Sequence, residues 1–539
     1  MSFNSDNLKS ALKEWKNLLG DKWVLSGEEA QKNYAPNEIA SSRKIPCALK
    51  PQNANDVCAI LKIASKYKVP LYTISVGSNW GYGGAGPVED NCVVMDLSSM
   101  DKILEFDDEL GIATLEPGVT PKKLREYLDL HNLPFLVPVS GAGPNCSLVG
   151  NALERGYGVT PYVDHFGGVT SLEAVLPEGE IYRGALSSMG GEIVDRAFKW
   201  GVGPYLDGIF SQANMGIITQ MSIALAPIPG GVEAFIFALK NEGYLERSVK
   251  EIREILKSIG NITGSINLMN AHRVLAMVED FPFEKVKKGE VIDEELLKTL
   301  STKNFIGPWT IGGIIYGDKK LIKFAKSVIK EKLSPICKRK YFFSRNKINF
   351  FKSGASFLPK GIMTIEKKQL MNLDESFKVA EGAPSEIALP LCYWKSGKRP
   401  KSGELMDPSK DGRGIIWYSP LIPMKSEAVK KYVAMVHSVC EKYKIEPLIT
   451  LTSLSHRCFD STVPILFDPK DKDETLRAKK CYIALFEEGK KDGFIPYRYG
   501  IDHMNLIVNN TDPFWKLVSK IKNALDPDHI LSPGRYSPK

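Results

Sequence analysis

The sequence predicts an α+β protein of two domains, and three observations carry that expectation. At 539 residues the chain is too long for one ordinary hydrophobic core, while 43% hydrophobic and 25% charged residues are an ordinary globular composition. A strand that runs into a glycine-rich loop lies near residue 75. Beyond residue 231, strand-plus-helix units recur at a pitch that suits an antiparallel sheet covered by helices on one face. The expected domains are 1–230 and 231–492, with a last segment at 493–539.

In chain order, Leu8, Leu12, Trp15, Leu18 and Leu19 fall at helical spacing, and Gly20-Asp21 ends that helix. Val57, Ile60, Leu61 and Ile63 place a second helix within 51–67, ahead of a strand over 69–76. That strand enters Ser75-Val-Gly-Ser-Asn-Trp-Gly-Tyr-Gly-Gly84. Glycines at 77, 81, 83, 84 and 86 keep Cβ atoms out of an anion's way, and Ser75, Ser78 and Asn79 add short polar groups. The stretch reads as a phosphate cradle or as a glycine-rich turn between strands. Its spacing matches neither G-x-x-x-x-G-K-[ST] nor, with a helix following, G-x-G-x-x-G. Strands follow at 92–97 and 112–119, then a helix at 120–131 that opens on Thr120-Pro121. A second glycine-rich crossing, 136–151, leads to a short helix at 152–155, so that a cofactor clamped between two loops is the expectation. Strands at 171–176, 180–183 and 216–227 complete the first domain, and Pro227-Ile-Pro-Gly-Gly231 reads as a linker. The later units pair strand 234–239 with helix 249–259, strand 309–317 with helix 319–332, and strand 414–420 with helix 426–443. Helix 513–525 precedes the closing Pro-Gly-Arg535 turn.

Several function classes are disfavoured by composition. Nine cysteines stand singly, without a C-x-x-C pair, and seven histidines form neither H-x-x-x-H nor H-E-x-x-H, which argues against a zinc site and a disulfide framework. No G-x-S-x-G elbow is present. The net charge of +8 is dispersed, with clusters such as Lys285-Val-Lys-Lys288 close to acidic residues, so nucleic-acid binding is not expected. A start without a basic n-region and an apolar h-region, and the lack of a membrane-length apolar run, predict a soluble, cytoplasmic protein. What remains is chemistry borrowed from an organic cofactor.

Six stretches, taken together in order, are more specific than any one of them. They are Ser75–Gly84, Leu148-Val-Gly-Asn-Ala-Leu-Glu-Arg-Gly156, Thr160-Pro-Tyr-Val-Asp-His165, Gly203-Pro-Tyr-Leu-Asp-Gly-Ile-Phe-Ser-Gln-Ala-Asn-Met-Gly-Ile217, Tyr497-Arg498 and Asp526-Pro-Asp-His-Ile-Leu-Ser-Pro-Gly-Arg535. In this order the chain resembles the vanillyl-alcohol oxidase and p-cresol methylhydroxylase family of flavoproteins, from about residue 10 to the end. The resemblance implies a FAD-binding domain, a cap domain folded over the flavin ring, and a 493–539 segment that returns to the first domain. It implies 4-cresol dehydrogenase or vanillyl-alcohol oxidase chemistry: a hydride is taken from the benzylic carbon of a para-substituted phenol, and water adds to the quinone methide. A flavin dehydrogenase of a hydroxy acid and a flavin-binding partner protein with a degenerate pocket are the alternatives.

By resemblance, FAD lies against Ser75, Val76, Gly77, Ser78, Asn79, Gly81, Gly83 and Gly84 of the first loop, against Gly141, Gly143, Ser147, Gly150, Asn151, Glu154 and Gly158 of the second, and against Ile217. Tyr82, Tyr497 and Arg535 match residues that face the phenolic oxygen, where two phenol donors and a guanidinium stabilise an oxyanion. Arg498 matches the group at the N1–C2=O edge of the isoalloxazine, and Tyr393 is the candidate for a covalent tether, although matching tryptophans puts Cys392 at that position. Three departures stand out. Gly158-Val159-Thr160-Pro161 lacks a family tyrosine, so one phenolate donor is missing or is replaced by Tyr157. The oxidase aspartate is absent near Val139-Ser140, and the paired cap histidines are absent near His456 and Arg457. The branch these features favour passes electrons to a c-type cytochrome, and a homodimer or higher oligomer is expected.

Overall fold

The computed structural model describes residues 4–356, 373–397, 399–401 and 404–538. Its strands fall into three sheets. In the first, Val24–Ser26, Cys47–Leu49, Val93–Asp96 and Leu71–Ile74 lie in that spatial order, and the last two pair in parallel. Helix Ala54–Tyr67 packs its Val57, Ile60, Leu61 and Ala64 under this sheet, and Ala11 and Trp15 of helix Ser5–Leu19 join the same core. All four residues of strand Val93–Asp96 are buried, as expected of a strand covered on both faces. The second sheet is antiparallel, in the order Ile103–Asp107, Ile112–Leu115, Ile217–Ala224, Val169–Val175 and Ile181–Tyr182.

Among the described residues, every strand from Val232 onward belongs to the third sheet, which has nine strands. Its ladders are all antiparallel. Directly paired residues in such a ladder share a face. One row across it runs Phe237, Ile311, Leu268, Leu451 and Ser461. The apolar members of this row pack with helices Leu245–Ile259, Lys319–Leu333, Ser426–Tyr443 and Lys472–Lys491. The neighbouring row, Ile236, Gly312, Asn267, Thr452, Asp460 and Leu421, therefore lies on the other face. That face is polar at its centre.

The chain's last segment is pinned to the first sheet. Leu71 N–H donates to the Ile530 carbonyl at 2.8 Å, and Ser532 N–H donates to the Leu71 carbonyl at 2.7 Å. Lys522, 1% exposed, donates to Asp526 Oδ2 at 2.5 Å and to the Asn214 carbonyl at 2.7 Å, so its charge is buried but satisfied. Among the described residues no helix is long and apolar enough to cross a membrane, and no group of three acidic, histidine or cysteine side chains could hold a metal.

Candidate active site

The first glycine loop is two structures in series. Among the described residues, the backbone N–H groups of Val76, Gly77, Ser78 and Asn79 donate to no other group. These residues are half-buried, and four unspent donors in succession suit the oxygens of a pyrophosphate. The second half is already spent. Gly81 N–H donates to Glu38 Oε1 at 2.5 Å and Gly83 N–H to the same oxygen at 3.1 Å, while Tyr82 and Gly84 N–H close onto the Asn79 carbonyl. Gly81, Gly83 and Gly84 are thus not the phosphate donors that the sequence suggested. Close packing requires them instead: a Cβ on Gly81 would lie 2.0 Å from Trp417 Cδ1, and Gly83 has φ +121° with Ile501 2.6 Å from its missing Cβ.

The second loop approaches the first at Gly150, where a Cβ would lie 2.6 Å from Ser75 Oγ. Ser147 Oγ accepts the Gly150 N–H at 2.8 Å and donates to the Pro117 carbonyl at 2.6 Å, which fixes the turn. Asn151 Oδ1 accepts from His165 Nδ1 at 2.5 Å, leaving His165 Nε2 buried and without a partner beside Gly158. Burial pushes the His165 pKa down to about 4, so the ring is neutral. Gly158 packs against the Val139 carbonyl, 2.2 Å from where its Cβ would be. Gly141 and Gly143 sit over Ala388 and Leu389, with Gly143 at φ +87°. Ile217 is a core residue of its strand, opposite Val175.

Glu154 organises the charged part of the site. Its Oε2 pairs with Arg498 Nε at 3.1 Å, and its Oε1 accepts from Arg535 Nη2. Arg535 also reaches Tyr72 Oη at 3.4 Å and the Ala213 carbonyl at 3.3 Å. The structure therefore sets Arg535 on Glu154, the cofactor side, and not on the phenol pair. Arg498 donates to Asn79 Oδ1 and lies 4.3 Å from the centre of the Tyr82 ring. Of the two arginines, Arg498 brings its charge to the tyrosines.

Those tyrosines form a cluster around one carboxylate. Tyr82 Oη and Ser419 Oγ are 3.0 Å apart, and the rings of Tyr157 and Tyr497 are 6.0 Å apart. Tyr157 Oη donates to Asp460 Oδ2, while Asp460 Oδ1 is buried with no partner. Asp460 is fully buried, and that burial pushes its pKa well above the carboxylate range. Tyr82 rises to about 12 through burial, held back by Arg498 and the Ser419 hydrogen bond. Tyr497 is pushed up in the same way, with Tyr82 and Asp460 adding to the effect. Asp460 and Ser419 were not singled out in the sequence. The available signal was an acidic side chain in the otherwise apolar and hydroxyl strand Cys458–Phe467. Tyr393 is buried and donates to Asp411 Oδ2 at 2.6 Å, and neighbouring Cys392 carries a protonated thiol, its pKa raised to about 12 by burial.

Comparison with known proteins fits this geometry. Residues 45–185 match the FAD binding domain family. The chain is 31% identical over 536 residues to 1'-carboxy-chondrochloren decarboxylase of Chondromyces crocatus, spanning 99% of this chain and 98% of that one. It is 28% identical to the 4-cresol dehydrogenase [hydroxylating] flavoprotein subunit of Pseudomonas putida, over 97% of this chain and 94% of that one. Its fold superposes on substrate-bound p-cresol methylhydroxylase with a TM-score of 0.87 at 25% identity, covering 99% and 98% of the two chains. The free N–H groups of 76–79, the close approach at Gly150 and the Arg498–Glu154–Arg535 bridge are a donor set that fits FAD. The chain belongs to the vanillyl-alcohol oxidase and p-cresol methylhydroxylase family of FAD-dependent oxidoreductases.

Proposed function

We propose that the enzyme oxidises a para-substituted phenol at its benzylic carbon. The observation that carries this reading is the set of Tyr82, Tyr157 and Tyr497 around Asp460, with the Arg498 guanidinium against the Tyr82 ring. FAD, held by residues 75–79, 147–154 and Arg498, supplies the two-electron acceptor. Tyr82 and Tyr497 donate to the phenolic oxygen and orient the ring. In its ionised form, populated only above its raised pKa, Asp460 takes the phenolic proton through the unpartnered Oδ1 as electrons leave the ring, and Tyr157 holds the carboxyl in place. Burial excludes bulk water, which strengthens each of these contacts. When water adds at the benzylic carbon, Asp460 returns its proton to the ring oxygen and the surplus proton of the water is released to solvent.

A second outcome is favoured by the name of the 31% identical relative, a decarboxylase. If the side chain bears a carboxylate on the carbon next to the benzylic one, loss of hydride and of carbon dioxide leaves an alkene, and no water is needed. Product analysis separates the two: an alcohol carrying solvent oxygen-18, or an alkene with one carbon dioxide per flavin reduced. The phenol reading itself is tested by anaerobic flavin reduction with a 4-alkylphenol and with its methyl ether. Reduction by the phenol alone is expected. Equal rates from the two would reject it.

A further inference from the structure

The polar face of the nine-stranded sheet extends beyond the tyrosine cluster. The pairs Met269–Thr450 and Thr450–Thr462 lie next to the Asn267–Thr452–Asp460 row and on its face, and Trp417–Pro464 follows along strand Cys458–Phe467. From Asn270 the chain turns directly into helix Ala271–Val278, whose third residue is Arg273. Leu275 and Ala276 of that helix share an apolar cluster with Cys392, Tyr393, Trp394 and Ile415, against which Trp417 packs. Trp417 in turn donates its backbone N–H to the carbonyl of Gly81, the residue before Tyr82. Arg273 is therefore on the side of the sheet that faces the flavin loop.

Its guanidinium is unusual. Nε and Nη1 are buried and have no partner, no carboxylate pairs with it among the described residues, and burial pushes its pKa down to about 10. The side chain as a whole is half-buried, yet two of its donors are closed off from water and unpaired, an unfavourable state that a protein keeps when it has a use for it. The same face carries two further buried oxygens without partners, Thr450 Oγ1 and Asp460 Oδ1. Three unsatisfied groups on one face are what a polar ligand leaves behind.

We propose that Arg273 binds a carboxylate on the substrate's side chain, which makes the substrate a para-substituted phenol carrying an acid group. The assignment rests on the phenol reading of the same site. A carboxylate pairs with one edge of a guanidinium, and the unpartnered Nη1 offers a donor on the edge it shares with Nη2 while Nε offers a donor on the other edge. Thr450 Oγ1 can add a third donor.

The holoenzyme tests this with 3-(4-hydroxyphenyl)propionate, its uncharged amide and its O-methyl ether, each titrated against the flavin absorbance. The acid is expected to bind wild type about 10- to 100-fold more tightly than the amide, the size of one charge-assisted contact. Arg273→Leu should abolish that gap and Arg273→Lys should retain part of it. The acid should also raise the melting temperature of wild type and not that of Arg273→Leu. Without ligand, Arg273→Leu should melt at or above wild type, because it removes an uncompensated charge. Equal binding of acid and amide to wild type, or a gap that survives in Arg273→Leu, overturns the proposal, as does loss of FAD or a markedly lower melting temperature in that variant. If the O-methyl ether binds as tightly as the phenol acid while the acid-to-amide gap remains, the phenol reading falls and the carboxylate site stands.

Discussion

Asp460 is a fully buried carboxylate and Glu154 a half-buried one, and their surroundings give them opposite roles. Glu154 has a guanidinium on each oxygen and ties two arginines together. Removing it leaves two charges unpaired, and Glu154→Ala should cost about 3–5 kcal/mol in urea unfolding and weaken FAD retention. Asp460 has one tyrosine and an open oxygen. Its folded pKa is raised, so at pH above the ordinary carboxylate range the folded state binds a proton that the unfolded state has lost, and stability falls as pH rises through that window. Asp460→Asn should therefore melt no lower than wild type at pH 8, yet slow flavin reduction by about 10²- to 10⁴-fold, the usual worth of a positioned base. A slower rate with a matching loss of melting temperature would make the residue structural. The sequence showed Tyr82, Tyr497 and Glu154 because they sit in ordered motifs. It did not show Arg273, since a charged residue in Ala-His-Arg-Val-Leu-Ala-Met-Val reads as the solvated face of an amphipathic helix, and only the fold closes Nε and Nη1 off from water.

At the scale of elements, helix Ala271–Val278 also carries a titrating group's neighbour on its first turn. Glu446, 3% exposed, accepts the Ile292 N–H at 2.9 Å through Oε1, and its Oε2 lies 3.9 Å from His272 Nε2. Burial raises its pKa to about 7, opposed by that hydrogen bond and by Lys395, and burial lowers His272 to about 4. Between pH 4.5 and 7 the folded carboxyl keeps its proton while the unfolded one has lost it, so stability falls with rising pH, by about 3 kcal/mol in all. Glu446→Gln preserves the acceptor for Ile292 and should remove this slope. The check is the urea midpoint of both proteins at pH 5 and pH 7.5, and parallel pH dependence in the two would overturn it. Elements of this kind were legible where periodicity was clean: helix Ser426–Tyr443 and strand Trp309–Tyr316 fall within a residue of their expected limits. The strand before the glycine loop, expected over 69–76, is only Leu71–Ile74, because the loop backbone leaves the ladder to present free N–H groups from Val76. Which face of the large sheet would be polar needed the register, since alternation in sequence gives two faces without saying which meets the cofactor.

Across the whole molecule, the question is where the electrons go. The Leu389–Tyr393 turn packs on the second glycine loop, and residues 139–140 are Val and Ser, without the aspartate that the resemblance to the oxidase branch would call for. The relative from Pseudomonas putida is named as the flavoprotein subunit of a dehydrogenase. We therefore expect a protein acceptor of the c-type cytochrome kind in place of oxygen. The formal charge of +8 sets the sign of the encounter: an acidic acceptor is steered in, and its association slows as salt shortens the screening length from about 10 Å at 0.1 M toward 3 Å at 1 M. A dispersed charge gives a shallow salt dependence, whereas a concentrated docking face gives a steep one. Stopped-flow mixing of the substrate-reduced enzyme with an acidic c-type cytochrome, and separately with air-saturated buffer, measures both branches. Reoxidation by the cytochrome within one turnover, with a rate that falls with salt, and slow reoxidation in air are expected. Stoichiometric hydrogen peroxide within a turnover would make the enzyme an oxidase, with oxygen in place of the protein acceptor.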